Sequence, residues 1–311
     1  MSAVTAPAPR AWLSHALATV VLWGVWGAFS GLAPEHGFPE TLVYCVWALT
    51  MVPPALIVLS MAQWRLDRGI RAIGYGLAVG LLGAAGQLIL FYAVARGPAY
   101  LIFPVISLSP VVTIAMSFAL LGERTGRLGA IGIVLALCAL PTFDFAPGGS
   151  GGAAAAWLLP AILVMLCWGV QAFFMKAANH VMSAESIFVY MTLSGLLVVP
   201  IAWAMTDVSR PINWGLDGPG LAALVQVLNA IGALTLVFAF RYGKAIIVAP
   251  LANAGAPLAT ALLSLVVLGV VPGALKIVGI GLALVASMLL AIEPDTTDPD
   301  AEISQPEVAN A

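Results

Sequence analysis

Residues 22–29, LWGVWGAF, return 145 positions later as residues 167–174, CWGVQAFF. Setting Trp23-Gly24 against Trp168-Gly169 brings two further segments into register. Gly97, Ala99 and Pro104 meet Gly243, Ala245 and Pro250 at an offset of 146, and Pro110, Thr113, Ser117 and Gly122 meet Pro257, Thr260, Ser264 and Gly269 at 147. Three segments in one order at a nearly constant offset mark an internal duplication rather than chance likeness among helices rich in Gly and Leu.

The surroundings of these segments set the solvent. Of 311 residues, 62% are hydrophobic and 8% charged, with mean hydropathy +1.05, where a soluble domain carries charge on about a quarter of its residues. Runs long enough to cross ~30 Å of hydrocarbon fall at 12–33, 40–62, 71–95, 99–121, 126–143, 155–178, 184–206, 218–240, 244–269 and 272–292. The fold class this predicts is all-α and polytopic: ten transmembrane helices as two five-helix repeats. Five is odd, so the second copy enters the membrane in the opposite sense and the repeats are inverted. The domains are a cytoplasmic N-terminus at 1–11, a first repeat at 12–143, a linker at 144–154 with its PGGSGG run, a second repeat at 155–292, and a tail at 293–311. That tail holds six of the fourteen acids and reads as a disordered, solvated cytoplasmic segment.

Orientation follows from Lys and Arg in the short connections. Arg10, Arg65, Arg68, Arg71, Arg124, Arg127, Lys176, Arg241 and Lys244 fall on one side, against Arg96, Arg210 and Lys276 on the other. Nine against three puts both termini in the cytoplasm of a cell whose inner membrane the chain spans many times. Cys45, Cys138 and Cys167 each sit in an apolar run with no metal-binding spacing, and read as small core residues.

With Trp-Gly in spans one and six, prolines in spans four and nine, and Leu121-Gly122-Glu123-Arg124 closing span four, the chain resembles the drug/metabolite transporter superfamily, specifically its EamA-like exporters. The resemblance covers residues 12–292 and implies secondary transport of a small organic molecule, commonly an amino acid or related metabolite, often outward. The second-half match to Gly-Glu-Arg has become Leu268-Gly269-Val270, so the two turns are not equivalent.

Polar groups at bilayer depth cost free energy unless they face a partner or a wet cavity. Helical spacing puts Trp23, Trp26 and Ser30 on one face of span one and Trp168, Gln171 and Met175 on the matching face of span six. Span nine carries a stripe of Pro250, Asn253, Pro257, Thr260 and Ser264; its counterpart in span four is Pro104, Ser107, Pro110, Thr113 and Ser117. Gln87 and Tyr92 in span three, with Gln226 and Asn229 in span eight, complete the set. Substrate-binding candidates are therefore Trp23, Trp26, Gln87, Tyr92, Ser107, Trp168, Gln171, Asn229 and Asn253. Pro104, Pro110, Pro250 and Pro257 are candidate kinks whose freed carbonyls face a cavity, and Glu123 and Arg124 a candidate gate. Simpler readings stay open: Ser and Thr bond their own helix, amides glue helices for ~0.6 kcal/mol, and Glu123-Arg124 suits a solvated turn. Trp12, Trp64, Trp157 and Trp214 suit the interfacial belt. Gly76, Gly80, Gly83 and Gly86 mark a close helix contact.

Other classes find little support. Net charge −2 with no basic stripe excludes nucleic acid as a partner. Asp67, Asp144, Asp207 and Asp217 all lie outside mid-span, and HExxH and GxxxxGK[ST] are absent from the sequence, so neither enzyme chemistry nor a metal or cofactor is expected. A secondary transporter for a small neutral or zwitterionic metabolite, working by alternating access in the lipid bilayer, is the expectation. Its alternatives are a proton-coupled antiporter using His15, the one histidine inside a span, and a non-transporting scaffold. Oligomeric state is not set by the sequence, and a monomer is compatible with it.

Overall fold

The computed structural model describes residues 11–292 except 122–126, 145–151, 180, 243, 244, 270 and 272. Among the described residues there is no strand. The helices are α1 (Ala11–Phe29), α2 (Leu32–Glu35), α3 (Glu40–Thr50), α4 (Val52–Met61), α5 (Ile70–Val94), α6 (Ala99–Ile106), α7 (Ser109–Leu121), α8 (Arg127–Asp144), α9 (Gly152–Ala178), α10 (Ala184–Ala204), α11 (Leu221–Tyr242), α12 (Ala245–Leu268) and α13 (Ala274–Ile292). A π-helical turn, Leu216–Gly220, leads into α11. Six segments are long and apolar enough to cross a membrane: Trp12–Glu35, Glu40–Met61, Ile70–Val94, Ala156–Met175, Ala184–Ala204 and Leu216–Leu236. Shorter apolar stretches lie at Ala99–Thr113, Gly255–Val267 and Ile277–Ala286.

The helices pair across the two halves in a mirrored way. α5 packs along α9 as α1 packs along α11; α1 packs on α12 as α9 packs on α6 and α7; α8 and α13 pair with each other. Apolar faces alone do not fix such pairings inside lipid, where close approach of backbones at small residues does. Gly76 faces Tyr190, Gly80 faces Ser194, Gly83 faces Gln171 and Gly86 faces Trp168, so the glycine series of α5 is the seat of α9 and α10.

Prolines act differently in the two halves. Span four is two helices, with Ser107 and Leu108 forming a turn between α6 and α7, whereas α12 runs unbroken through Pro250 and Pro257. The residues between the prolines explain this. Ser107 turns its hydroxyl onto the Pro104 carbonyl at 2.7 Å, a local bond that competes with the helix, while Leu-Ala-Asn-Ala-Gly-Ala at 251–256 offers mostly small side chains and strong helix formers. Of these two proline-bearing spans, the first is interrupted between its prolines and the second is a continuous helix.

Candidate functional site

Three tryptophans of the first half converge on one face of α11. The Trp26 indole N–H donates to Gln226 Oε1 at 2.8 Å, Trp47 to Asn229 Oδ1 at 2.8 Å and Trp23 to the Asn229 carbonyl at 3.0 Å. Trp26, Trp47, Gln226 and Asn229 are all buried. An indole N–H taken out of water needs an acceptor, and an amide one helical turn from another supplies two acceptors on the same face. Phe103 of α6 meets Trp26 edge-on, ring centroids 6.1 Å apart.

The second half builds a related group from different residues. Trp168 of α9 lies over Gly86 of α5 as Trp23 lies over Gly232 of α11: a Cβ at Gly86 would come within 2.5 Å of Trp168 Nε1, and one at Gly232 within 2.5 Å of Trp23 Nε1. Gln171 donates from Nε2 to the Val79 carbonyl at 3.0 Å. Thr113 of α7 donates to the Gly169 carbonyl at 2.8 Å, and Thr260 of α12 to the Gly24 carbonyl at 3.2 Å.

Two loops close the ends of the bundle by the same rule. At one end Asp67 accepts through Oδ2 from the Ser183 backbone N–H at 2.8 Å and from the Ser186 hydroxyl at 2.9 Å, while the Tyr190 hydroxyl donates to its carbonyl at 2.8 Å. Ser183 is the N-cap of α10, so the carboxylate sits where orphan N–H groups point. The Ser183 backbone N–H, helped by the two serine hydroxyls, holds the Asp67 carboxyl below its usual range. At the other end Asn213 donates from its backbone N–H to the Gly37 carbonyl at 3.1 Å and from Nδ2 to the His36 carbonyl at 2.8 Å, just ahead of α3. Asp67 and Asn213 are 146 positions apart, as are Gly37 and Ser183. Near Asn213, Arg96 pairs with Glu40 at 2.9 Å, and the Thr41 and Thr206 hydroxyls meet at 2.7 Å.

A cleft opens on the Asp67 side of the bundle between α1, α9, α10 and α11. Trp23, Met175, Ile187, Met191, Ala233 and Leu236 line it, with Asn179 at its polar edge. Its free volume is about 30 Å³, room for a water molecule or two and far below the ~300–1,000 Å³ of a small-molecule site.

The candidates thus separate. Trp23 lies on both the tryptophan cluster and the cleft. Trp26 and Asn229 join the cluster, and Gln171 and Trp168 tie α9 to α5. Ser107 is buried in the break of span four. Gln87 is buried with its Nε2 lacking a partner among the described residues. Tyr92 stands apart: it is exposed at the end of α5, with the Arg96 guanidinium 3.4 Å over its ring. Five residues separate it from Gln87, about 140° round a helix, so it leaves the inward face. Pro110 opens α7 and Pro257 is buried in α12. The side chains of Asn253, Pro250 and Ser117, and Glu123 and Arg124 altogether, lie outside the described residues. Trp157 is buried against Gly97, where the glycine leaves room for the indole. Trp47 belongs to the cluster although no repeat partner points to it; a tryptophan seven residues inside span two is its only signal in the sequence.

Many apolar helices, repeated twice and pinned together by small residues and neutral polar groups, define a multi-pass α-helical membrane protein of two-repeat architecture. The model of the EamA-like transporter family matches residues 10–141 and again 155–292, and the chain belongs to that family, one of membrane transporters. The resemblance drawn from the Trp-Gly and proline pairs is borne out. One crystal structure of a protein, 17% identical, superposes with a TM-score of 0.61 over 89% of this chain and 95% of its own, a likeness of fold. No curated protein matches the chain.

Proposed function

We propose that this EamA-family chain is a secondary transporter, an exporter or facilitator, that carries a small neutral or zwitterionic metabolite such as an amino acid across the inner membrane. It works by alternating access between two inverted repeats making ten crossings, with both termini in the cytoplasm. The observation that carries this reading is the reciprocity of contacts: Asp67 with Ser183 at one end, Asn213 with Gly37 at the other, and Thr113–Gly169 beside Thr260–Gly24 between them. Contacts that exchange partners between two halves are those of a pseudo-two-fold axis, and such an axis in the membrane plane gives a protein two like conformations facing opposite sides.

The interior supports an uncharged or internally balanced cargo. Every Asp, Glu, Lys and Arg of the described residues lies in a connection or in the first or last turn of a helix. What remains in the middle of the helices is uncharged, chiefly indole, amide, hydroxyl and thiol. A net charge on the cargo would have no counter-charge there.

Thermal unfolding of the purified protein with neutral amino acids, nucleobases and dicarboxylates tests this. A compound at 100 times its Kd adds ~2.7 kcal/mol. Stabilisation by a neutral or zwitterionic member is expected; stabilisation by dicarboxylates alone would overturn the reading.

A further inference from the structure

Applied to the cleft, the repeat register gives a sharper result. At the offsets of 145 for spans one and six and 146 for spans three and eight, Trp23 maps to Trp168, Met175 to Ser30, Ala233 to Gln87 and Leu236 to Leu90. Glu185-Ser186 of α10 answers Glu40-Thr41 of α3 at 145, which maps Ile187 to Leu42 and Met191 to Val46. The cleft between α1, α9, α10 and α11 therefore has a counterpart between α9, α1, α3 and α5, on the side of Asn213. The residues of that counterpart are closely packed: Ser30, Leu42, Gln87 and Leu90 are 2%, 3%, 4% and 0% exposed, much as Ile187, Ala233 and Leu236 of the cleft are at 3%, 5% and 6%.

Within it the Gln87 Nε2 is buried and has no hydrogen-bond partner among the described residues. Among the described residues Ser194 and Ser264 Oγ share that condition, but a helical hydroxyl rotates toward its own turn at little cost. A primary amide carries two N–H donors that water would have satisfied, and burying them unpaired is unfavourable. Such a donor is free to take an acceptor that a rearrangement of the helices brings to it.

Resting on the alternating-access reading, we infer that Gln87 is the polar contact of a second, outward-opening pocket lined by Trp168, Leu42, Val46 and Leu90. There its Nε2 donates to a carbonyl or carboxylate oxygen of the cargo. The cargo is then a molecule with an apolar body and one such oxygen-bearing group. Because Ala233 holds the equivalent place in the present cleft, the contact is made on one side of the membrane only. The cargo is gripped by one more hydrogen bond when the pocket faces out than when it faces in.

Thiol labelling tests this without knowing the cargo. In a chain with Cys45, Cys138 and Cys167 replaced by serine, Ala233→Cys and Val46→Cys are placed singly in oriented membrane vesicles and treated with an impermeant maleimide. Ala233→Cys is expected to react from the cytoplasmic side and Val46→Cys from the opposite side. Adding Gln87→Met removes the unpaired donors while keeping the volume. It is expected to slow labelling of Val46→Cys by about threefold or more, to quicken that of Ala233→Cys, and to leave the melting temperature unchanged or higher. Labelling of both cysteines from one side, or a lower melting temperature with labelling rates unmoved, would overturn the inference and make Gln87 a packing group. Sided labelling in a protein that exchanges no solute would instead contradict the transport reading while leaving the pocket in place.

Discussion

The Thr113 hydroxyl donates to the Gly169 carbonyl across the α7–α9 contact at 2.8 Å, and the repeat reproduces this bond between Thr260 and Gly24. At both places the glycine lets a neighbouring backbone close in. A Cβ at Gly169 would come within 2.7 Å of the Ser109 carbonyl oxygen, and one at Gly24 within 2.7 Å of Ala259 Cβ. Gly169→Ala and Gly24→Ala should therefore each destabilise the protein by about 1–3 kcal/mol, the usual cost of overpacking. Gly74, where an added methyl would have nothing within 4 Å, should gain stability as alanine through helix propensity. Thermal unfolding in detergent distinguishes the three variants.

The tryptophan cluster gives a second expectation. Trp47→Phe keeps an aromatic ring but leaves Asn229 Oδ1 buried without its indole donor, and Trp26→Phe does the same to Gln226 Oε1. Each should cost about 1–3 kcal/mol. A cycle of Trp47→Phe with Asn229→Leu should show coupling, since removing both partners leaves nothing unpaired. Additive losses would mean that the bond contributes nothing beyond packing.

Acid should loosen the Asp67 contact and leave the Asn213 contacts unchanged. Asp67 is held below its usual range by the Ser183 N–H and the serine hydroxyls. A depressed carboxyl contributes its stability above the unfolded pKa of ~3.9 and loses it as pH falls through the lower folded value. The Asp67 contact should thus be intact at neutral pH and fail below about pH 4. Asp67→Asn should flatten that part of the stability profile measured between about pH 6 and 3. The Asn213 contacts carry no titrating group and should not change it.

Much of this is legible in the chain because duplication leaves paired signals. Trp23 and Trp168 share an offset with their glycines, and the mates that seat them, Gly232 and Gly86, fall at nearly the same one. Trp47 has no such echo: Thr192 stands at its repeat position, so the duplication does not mark it. The broken span four and unbroken α12 carry two prolines each at nearly equal spacing, and only the serines between Pro104 and Pro110 tell them apart. Tyr92 shares a span with Gln87 but not its helical phase, and phase decides which way a side chain faces. Which amide hydrogen-bonds a neighbouring helix, as Gln171 does, and which is left unpaired, as Gln87 is, depends on how the helices pair in space, which a single sequence does not state.

Solute counterflow decides whether the chain is a carrier of neutral amino acids. Proteoliposomes preloaded with an unlabelled mixture of neutral amino acids are diluted into a labelled trace of the same mixture, with and without an imposed pH gradient. A transient, saturable accumulation of label is expected, which the pH gradient leaves unchanged and His15→Ala retains. Slow, linear, unsaturable entry without an overshoot, or uphill movement driven by the pH gradient and lost in His15→Ala, would contradict it.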